Sequence, residues 1–512
     1  MKEEPIVVEV SPQDEHNLQL LTNAHPGDRP NPEPRNPYNL VAIGAGTAGL
    51  VAAAGGAILG ARVALIEKHL MGGDCLNYGC VPSKALVRCA KARADTQEAH
   101  RFGVHTDGEI SVNFGAVVER MRRLRAHISK HDSVSRFSDF GVDVFLGAGR
   151  FTGPRSVEVA GKTLRFAKAV IATGGRPVAP DVPGLDEAGY LTNETIFNLT
   201  ERPQRLGVIG GGPVGCELAQ TFQRLGSQVT LLHSGAHVLH KEDVDAAEIV
   251  QRAMRRDGVD LILSANLLAV EGRRGEKVLR YARGDGQRRE VAVDEILVAA
   301  GRAPNVTGLG LEAAGVAFDP AKGVRVDDRL RTTNPRIFAA GDVCSRYKFT
   351  HAADAMARLV LANALFMGRQ RVSALAIPWC TYTDPQIAHV GITEREAASS
   401  GIALDTFTQP LEEVDRAILD GEAEGFAKVH VKKGTDKILG ATVVARNAGE
   451  MIGVYTMAMT HGLGLGAVSK VIQPYPTQAE AIRQTGDLYN RTRLTPLVKK
   501  LMAAWLRWQR GR

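Results

Sequence analysis

Cysteine is scarce in this sequence, with six residues among 512. That number is too small for a structural disulfide framework, and in a reducing compartment a close pair of cysteines is more often catalytic or metal-binding. Cys75 and Cys80 are such a pair, with four residues between them in GGDCLNYGCVPSK. The other cysteines are far apart in sequence and are predicted to be buried small residues: Cys89, Cys216, Cys344 and Cys380.

Secretory and membrane-spanning segments are also lacking. The start, MKEEPIVVEVSPQDEHN, carries early acids and has no apolar stretch of the kind that a secretory signal needs. A cytoplasmic protein is therefore expected. Residues 40–61 do run for 22 positions without a charge, but their glycines fall at turn spacing. This pattern favours a buried strand, a turn and a helix over a membrane span.

Acidic residues are absent from residues 491–512, which carry seven Lys and Arg, and the net charge of the whole chain is +7. The remaining residues are close to neutral, so the basic excess belongs to the tail and predicts no nucleic-acid-binding body. The length predicts about two to four domains.

The segment NLVAIGAGTAG has the pattern of a dinucleotide-binding turn. An apolar strand runs into Gly44, Gly46 and Gly49, a small-residue helix follows, and a second strand, RVALIEK, ends at Glu67. The first glycine permits a tight turn, the second lets the backbone approach a pyrophosphate, and the third allows close packing of helix on strand. The acid would accept a hydrogen bond from a ribose hydroxyl. The segment therefore predicts one dinucleotide site.

The same pattern recurs in RLGVIGGGPVGCELAQ, with Gly210, Gly212 and Gly215. The position equivalent to the acid of the first copy is His233. A carboxylate there would repel a ribose 2'-phosphate, so His233 favours NADPH over NADH, although a histidine also pairs with a plain ribose. Two copies predict two dinucleotide cofactors.

Three further segments complete the pattern. NPRIFAAGDVC is predicted to be a strand that delivers Asp342 to a glycine-marked turn. ATGGRP, residues 172–177, and VAAGRAPN, residues 298–305, are typical of chain crossings between domains. Each is a generic loop on its own, but together with the two turns they belong to one arrangement.

These motifs make the chain resemble the pyridine nucleotide-disulfide oxidoreductase family, flavoenzymes that include lipoamide dehydrogenase, glutathione reductase and mercuric reductase. The motifs, which also include YTDPQIAHVG, follow the family's order from about residue 38 to 490. The resemblance implies an α/β fold with two Rossmann-like dinucleotide-binding domains and a C-terminal α+β dimerisation domain. The implied segments are an FAD-binding domain (38–185 and 306–372), an NAD(P)-binding domain (186–305) and a dimerisation domain (373–490). The proline-rich start predicts an extended, flexible arm (1–37), and the end of the chain predicts a basic amphipathic tail (491–512).

The resemblance also implies the cofactors and the redox centre. FAD would bind the first turn and Asp342, and NAD(P)H the second turn. Cys75 and Cys80 would be the redox disulfide, with Cys80 facing the flavin and Cys75 the substrate. Lys84 would lie by the flavin and pair with Glu217. Further cofactor contacts are implied for Lys68, Gly73, Thr173, Gly174, Gly301 and Arg302.

Elementary chemistry agrees with a redox pair. One helical turn brings the sulfurs together, and a thiolate near a helix N-terminus and a lysine has a lowered pKa. A zinc site would need about four ligands, and no second pair of Cys or His lies nearby.

One element departs from the thiol-exchanging members of the family. Those members carry a His-Pro-Thr-x-x-x-Glu-like element from the partner subunit, whereas QPYPTQAEAIRQ keeps Pro476, Thr477 and Glu480 and places Tyr475 where the histidine belongs. A tyrosine, with a pKa near 10, is a poor base at neutral pH. Ordinary disulfide exchange is therefore disfavoured.

A Pro-Tyr pair followed by Thr and Glu is similar to mercuric reductases, and GYLTNET resembles their second active-site tyrosine, here Tyr190. Packing is the alternative role for both tyrosines. Cys75 and Cys80 would then hold a substrate Hg(II) transiently. Against this, no cysteine precedes Cys75 or follows Cys380, so a terminal thiol relay is lacking.

We therefore expect a homodimeric FAD enzyme that passes electrons from NAD(P)H to a thiophilic acceptor, with Hg(II) as the leading choice. Alternatives are a dihydrolipoamide dehydrogenase with an altered acid/base, an NAD(P)H:quinone-type enzyme and, less favoured, a non-catalytic flavoprotein. The tail, residues 494–512, repeats apolar residues at helical spacing among basic ones. It predicts either peripheral contact with the inner face of a membrane or packing on the dimer.

Overall fold

The computed structural model describes residues 8–106, 108–273, 275–284 and 286–511. The chain divides into two compact units. The first extends through residue 234 and includes 258–374, and the second comprises 235–257 together with residues from 375 onward. The finer segments inferred from the sequence stay predictions.

The helices of the described residues are numbered α1–α17 in chain order: Glu15–Ala24, Thr47–Ile58, Gly73–Asn77, Cys80–Glu98, Phe114–Ser129, Val134–Asp139, Leu185–Ala188, Pro213–Arg224, Val244–Arg256, Thr350–Leu365, Glu394–Ser399, Asp415–Leu419, Ala448–Met451, Gly453–Thr460, Leu465–Val468, Glu480–Thr492 and Pro496–Arg510.

The strands are numbered β1–β23 in the same way: Tyr38–Ile43, Val63–Glu67, Asp143–Leu146, Arg150–Gly153, Ser156–Val159, Lys162–Ile171, Gly175–Pro177, Arg205–Ile209, Gln228–Leu232, Asp260–Ile262, Ala265–Arg273, Glu276–Arg283, Arg288–Val293, Glu295–Val298, Arg302–Pro304, Phe318–Asp319, Gly323–Val324, Ile337–Ala339, Pro378–Thr381, Gln386–Gly391, Leu404–Pro410, Phe426–Lys432 and Ile438–Ala445.

The first unit contains two parallel sheets of the same design. In one, β1 lies between β2 and β6, with β3 beyond β2 and β18 beside β6. In the other, the order is β10-β9-β8-β14. In each sheet a continuous apolar strand, β1 or β8, leads into a glycine turn and a helix, because strands buried on both faces carry unbroken hydrophobic runs. Residues 40–61 thus form β1, a turn and α2, as the sequence predicted. No described helix is long and apolar enough to span a bilayer.

The second unit is built on a five-stranded antiparallel sheet in the order β19-β20-β23-β22-β21. Its apolar face packs against α13, α14 and α16 around a fully buried tyrosine, Tyr455. The two nucleotide-binding sheets and this α+β unit confirm the predicted fold class.

The prediction of an extended N-terminal arm is wrong over Glu15–Ala24, which form α1. Asp14 caps this helix by accepting from the backbone N–H of Asn17 at 2.8 Å. Beyond α1 the Pro-rich segment lies along β3, where Asn31 exchanges two hydrogen bonds with the backbone of Leu146 at 2.7 and 2.8 Å. Since β3 is an edge strand, these bonds satisfy backbone groups that would otherwise be open to another strand.

A buried ionic cluster joins α9 to the sheet of the second unit. The side chain of Lys428 is 2% exposed, and its Nζ lies 2.9 Å from Asp243, 2.8 Å from Asp245 and 3.3 Å from Glu394. His430 Nε2 is 3.4 Å from Asp243. Burial alone would raise the pKa of Asp243, but the bonds from His430 and Lys428 outweigh it and hold that pKa well below its usual range. Asp243, Glu394 and His430 are close enough together to bind a metal ion. The ammonium of Lys428 already places a positive charge among them.

Two buried titratable groups lie beside this cluster. Glu242 accepts from the Trp379 indole N–H at 2.6 Å, and burial raises the pKa of Glu242 to about 7. The His389 ring lies against Trp379, with centroids 4.5 Å apart and the rings tilted by 35°, and it forms a hydrogen bond with Thr442 at 2.8 Å. Burial lowers the pKa of His389 to about 4.

The two groups act on stability in opposite directions. His389 has a depressed folded-state pKa, so its contribution is complete above about pH 6.5 and is lost as the pH falls towards 4. Glu242 has a raised pKa, so its contribution is complete below about pH 4.3 and is lost as the pH rises towards 7. Each changes the free energy of unfolding by about 1.4 kcal/mol per pH unit between those limits, and the two slopes offset each other.

The variant Glu242→Gln is therefore expected to reveal the histidine slope. Its free energy of unfolding should rise by about 1.4 kcal/mol per pH unit from roughly pH 4.5 to 6.5, relative to the parent protein. Urea titrations across this range measure the slope. Glu248→Gln, the same change at an exposed position of α9, the helix that follows Glu242, is the control and should track the parent. Parallel curves for parent and Glu242→Gln would contradict the assignment.

Candidate functional site: two nucleotide turns and a thiol pair

The first nucleotide turn, residues 44–49, requires glycine on steric grounds. Gly44 has φ +100°, and a Cβ there would meet the carbonyl oxygen of Ala172 at 2.4 Å. A Cβ on Gly49 would lie 1.8 Å from the carbonyl oxygen of Gly44. Gly46 is the N-cap of α2 and has no side chain to occupy the first N–H groups of that helix. Those N–H groups are free to bind a pyrophosphate.

Glu67 ends β2 next to this turn. Its Oε2 accepts from the N–H of Ala45 at 2.6 Å and its Oε1 from that of His69 at 2.8 Å. Burial raises the pKa of the carboxyl, and the backbone donors oppose that rise. Lys68 is exposed directly after it. Gly73, at φ +59°, touches the turn, since a Cβ on it would lie 2.5 Å from the Cα of Gly46.

The second nucleotide turn, residues 210–215, repeats this geometry. A Cβ on Gly210 would meet Ala299 O at 2.5 Å, and one on Gly215 would meet Gly210 O at 1.9 Å. Gly212 is the N-cap of α8, again without a side-chain cap. His233 follows β9, and its Nδ1 accepts from the N–H of Gly211 at 3.2 Å. The histidine is thus part of the turn itself.

The two cysteines of the thiol pair lie on two consecutive helices. Cys75 lies within α3 and is half-buried, whereas Cys80 is the first residue of α4 and is exposed. The hydrogen bond from the Cys75 thiol is the main cause that lowers the pKa of Cys80 to about 6, against burial that would raise it. The hydroxyl of Thr350, 3.5 Å from the Cys80 sulfur, and the charge of Lys84 add to the effect. The same bond to Cys80 raises the pKa of Cys75.

Lys84 lies one turn further along α4 than Cys80. Its Nζ is 2.6 Å from Oε2 of Glu217, whose side chain is 7% exposed. Glu217 belongs to α8, so this ion pair joins the helix of the thiol pair to the helix of the second nucleotide turn. With Cys80 ionised at neutral pH, the arrangement holds one thiolate beside one fixed cation.

Sequence reasoning missed the acid beside the thiols. Asp74 lies 3.3 Å from Arg302 and accepts from Asn193 at 3.0 Å, while Arg302 is also 3.7 Å from Asp342. Burial raises the pKa of Asp342, and the nearby Arg302 opposes that rise. Thr350 was missed too. Arg302 and Asp342 are far from the thiol pair in the sequence, and nothing in their local motifs indicates that these side chains come together.

The two expected chain crossings pair with each other. β7 and β15 form an antiparallel ribbon, and Thr173 Oγ1 donates to the carbonyl of Asn305 at 2.7 Å. Gly174 has φ +66° and Gly301 has φ +154°, so both occupy conformations that L side chains rarely adopt. The ribbon carries Arg302 to Asp342 and Asp74.

These residues fit a flavin dinucleotide. The first turn leaves helix N–H groups uncapped, a buried carboxylate ends β2, and Arg302 Nε is buried without a hydrogen bond among the described residues. FAD would be held by the first turn, Glu67 and Asp342. The second turn fits a second nucleotide for the same steric reasons.

The remaining candidates are the two tyrosines and Glu480. Tyr190 is half-buried and packs against the apolar cluster between β9, β11 and β12, which agrees with a packing role and leaves contact with substrate a prediction. In the second unit, Tyr475 is 69% exposed and its hydroxyl donates to Asp415 at 2.8 Å. Glu480 starts α16 and pairs with Arg483 at 3.1 Å.

The other cysteines are only partly as predicted. Cys216 is buried, but three are half-buried: Cys89, Cys344 and Cys380. Cys344 and Cys380 pack at the edges of apolar clusters, and Cys89 accepts from Arg120.

Two nucleotide turns on parallel sheets, one of them beside a thiol pair, define a dinucleotide-dependent oxidoreductase. The chain belongs to the pyridine nucleotide-disulphide oxidoreductase family, whose model matches residues 38–357, and the model of that family's dimerisation domain matches residues 377–485. The family is FAD-dependent with a pyridine nucleotide substrate, and the matched dimerisation domain supports a homodimer.

Relatives of different activity are similarly close. Mercuric reductase of Bacillus cereus is 35% identical over 88% of this chain and 72% of its own, and dihydrolipoyl dehydrogenase of Thermus scotoductus is 34% identical over 89% of this chain and 98% of its own. The solved structure of a Cu(II) complex of the HOCl-induced flavoprotein disulfide reductase RclA from Escherichia coli is 30% identical, with a TM-score of 0.78, over 88% of this chain and 99% of its own. Similarity therefore establishes the family but does not identify the electron acceptor, which has to be inferred from the chemistry of the site.

Proposed function

We propose that this enzyme passes two electrons from NADPH, through FAD and the Cys75–Cys80 pair, to a thiophilic metal ion, with Hg(II) as the leading acceptor. The observation that carries the proposal is the phenol of Tyr475 at the position where thiol-exchanging relatives are expected to have a histidine. Its hydroxyl donates a hydrogen bond to Asp415, and that bond raises the pKa of Tyr475.

A phenol in this state does not accept protons at neutral pH. Dithiol–disulfide exchange needs a group that takes and returns a proton, and the loss of such a group typically costs about 100- to 10,000-fold. A soft cation bound by thiolates needs electrons and two sulfur ligands instead. The Cys75–Cys80 pair supports this second chemistry, because it would supply the two sulfur ligands.

The chain's own residues would bind and orient the cation. Cys80 supplies a thiolate at neutral pH, Cys75 supplies the second sulfur when the metal displaces its proton, and Lys84 balances the charge. Tyr475 of the partner subunit would offer a phenol oxygen at the opening of the site. FAD, when bound, would supply the electron pair that it receives from the reduced nicotinamide.

NADPH is proposed over NADH because β9 ends at His233 and not at a carboxylate. An acid at this place accepts from a ribose hydroxyl and repels a 2'-phosphate. The ring lies against Gly211, so it occupies the place such an acid would take.

An anaerobic titration followed by stopped-flow mixing tests the proposal. The purified holoenzyme is reduced with NADPH, and in parallel with NADH, and is then mixed with thiol-complexed Hg(II) while the flavin absorbance is followed. Reoxidation at the rate of turnover, with release of elemental mercury, is the expected result. Thiolates titrated by mercury without turnover would overturn the proposal and make dihydrolipoamide, favoured by the 34% identical dehydrogenase, and then quinones the next acceptors to assay.

Tyr475→His is expected to confer proton transfer. The variant should oxidise dihydrolipoamide at least about tenfold faster than the parent, with a new ionisation near pH 6.5, because an imidazole can act as base there. Steady-state rates from pH 5.5 to 8.5 measure both effects. Tyr475→Phe is the control and should show neither. A parent enzyme that already oxidises dihydrolipoamide with a near-neutral ionisation would contradict this interpretation.

A further inference from the structure

The C-terminal helix α17 is solvent-exposed along its length in the described part of the chain. It spans Pro496–Arg510, starts with a cap in which Thr495 Oγ1 accepts from the N–H of Val498 at 3.3 Å, and has no buried residue. Leu497 is 67% exposed and Leu501 is 62% exposed. Isolated helices of about 15 residues are marginal in water, so a helix with this much exposed apolar surface requires a partner.

The side chains of α17 separate into two stripes. At 3.6 residues per turn, the apolar stripe consists of Leu497, Val498, Leu501, Trp505 and Trp508. The basic stripe, on the opposite side, consists of Lys499, Lys500, Arg507 and Arg510. The rings of Trp505 and Trp508 lie 4.8 Å apart and form one aromatic surface within the apolar stripe.

Charge selects the kind of surface that covers the helix. No acid occurs after Asp487, whereas Arg491 and Arg493 add to the basic stripe. Two copies of such a tail repel each other, and a neutral apolar groove would leave the cations without a role. A surface with an apolar interior beneath a negatively charged layer satisfies both stripes at once. Tryptophan is enriched at such interfaces because its ring is apolar and its N–H is polar.

We propose that α17 lies in the plane of an anionic lipid bilayer and holds the dimer at the membrane surface. The helix is about 22 Å long, shorter than the roughly 30 Å of a hydrocarbon core, so it rests in the interface and does not cross. The apolar stripe enters the boundary between headgroups and acyl chains, and the basic stripe meets the lipid phosphates.

Vesicle sedimentation of the full-length holoenzyme tests this. Phosphatidylcholine vesicles are compared with vesicles that also contain phosphatidylglycerol, at low and high potassium chloride. We expect binding to the anionic vesicles only, weakened by salt. Two of the three tryptophans lie in α17, so the emission of a Trp379→Phe protein should shift to shorter wavelength on binding.

Matched variants separate the two stripes. Lys499→Gln with Lys500→Gln should weaken binding about 30-fold, since each cation near an anionic surface contributes about a fivefold factor. Leu501→Gln with Trp505→Gln should abolish it. Lys432→Gln with Lys433→Gln, an equal charge change at exposed positions of the second unit, should bind like the parent, and all variants should keep turnover with a soluble acceptor.

Three results would overturn the proposal. The first is equal binding to neutral vesicles or none to anionic ones, and the second is unchanged binding of the α17 variants. The third is a fall from dimer to monomer mass when Leu501 and Trp505 are replaced in lipid-free solution, which would show that a second copy of this chain covers the apolar stripe.

Discussion

Turnover of the Cys80→Ser enzyme with any acceptor is expected to fall by about 1,000-fold or more. Only a thiolate takes part in disulfide exchange or binds a soft metal strongly, and the pKa of Cys80 is lowered to about 6. A serine hydroxyl stays protonated at every accessible pH. Reduction of the flavin by the reduced pyridine nucleotide should survive, because it precedes the thiols. Steady-state and single-turnover absorbance measurements separate the two steps.

Cys89→Ser is the matched control for that experiment. Cys89 lies on the same helix, α4, where it is half-buried and accepts a weak hydrogen bond from Arg120 at 3.7 Å. The same atom is replaced at a site outside the thiol pair, so turnover should stay near that of the parent. Full activity of Cys80→Ser would mean that electrons leave the enzyme by another route.

Lys428→Met is expected to destabilise the second unit by about 3–5 kcal/mol. Removing one partner of a buried ion pair leaves an uncompensated charge, and here Asp243, with a side chain 3% exposed, would lose its ammonium. Thermal or urea unfolding monitored at that unit measures the loss. The loss should shrink as the pH approaches that at which Asp243 takes up a proton, because a neutral carboxyl no longer needs the cation.

Two further variants test the cause. Lys432→Met, on the same strand but exposed, should cost less than about 0.5 kcal/mol. Adding Asp243→Asn to Lys428→Met should recover part of the loss, because the unpaired charge is gone. A double variant with the full loss of Lys428→Met would show that lost packing, and not charge, is responsible, and equal losses for Lys428→Met and Lys432→Met would contradict the prediction.

Local chemistry explains which parts of this structure were predictable. The two nucleotide turns are specified within about 25 consecutive residues, because Gly49 packs on the carbonyl of Gly44 and Gly215 on that of Gly210. The close approach of Gly44 to Ala172 involves a distant segment and was not readable from the motif. The pair of Lys84 with Glu217 spans 133 positions, and only the resemblance to a family suggested it. The partners Thr350 of Cys80 and Asp415 of Tyr475 come from distant segments whose sequences carry no such sign.

The proline content of the N-terminal segment led to a wrong prediction of its structure. The prolines of residues 26–37 favoured an extended arm, but they follow α1, and the capping residue Asp14 is a recognisable start signal for a helix. Lys428 illustrates the opposite difficulty. FAKVHVK alternates like a half-exposed strand, yet its lysine is buried because three carboxylates from other segments surround it.

The exposed thiol of Cys80, with its lowered pKa, makes the enzyme vulnerable to thiol-reactive compounds. At neutral pH the sulfur is mostly deprotonated, and deprotonated thiols are the ones that oxidants and alkylating agents attack first. Soft metal ions bind the same paired sulfurs. The reduced enzyme is therefore open to poisoning while the disulfide form is shielded, so the supply of reduced coenzyme sets the sensitivity to such inhibitors.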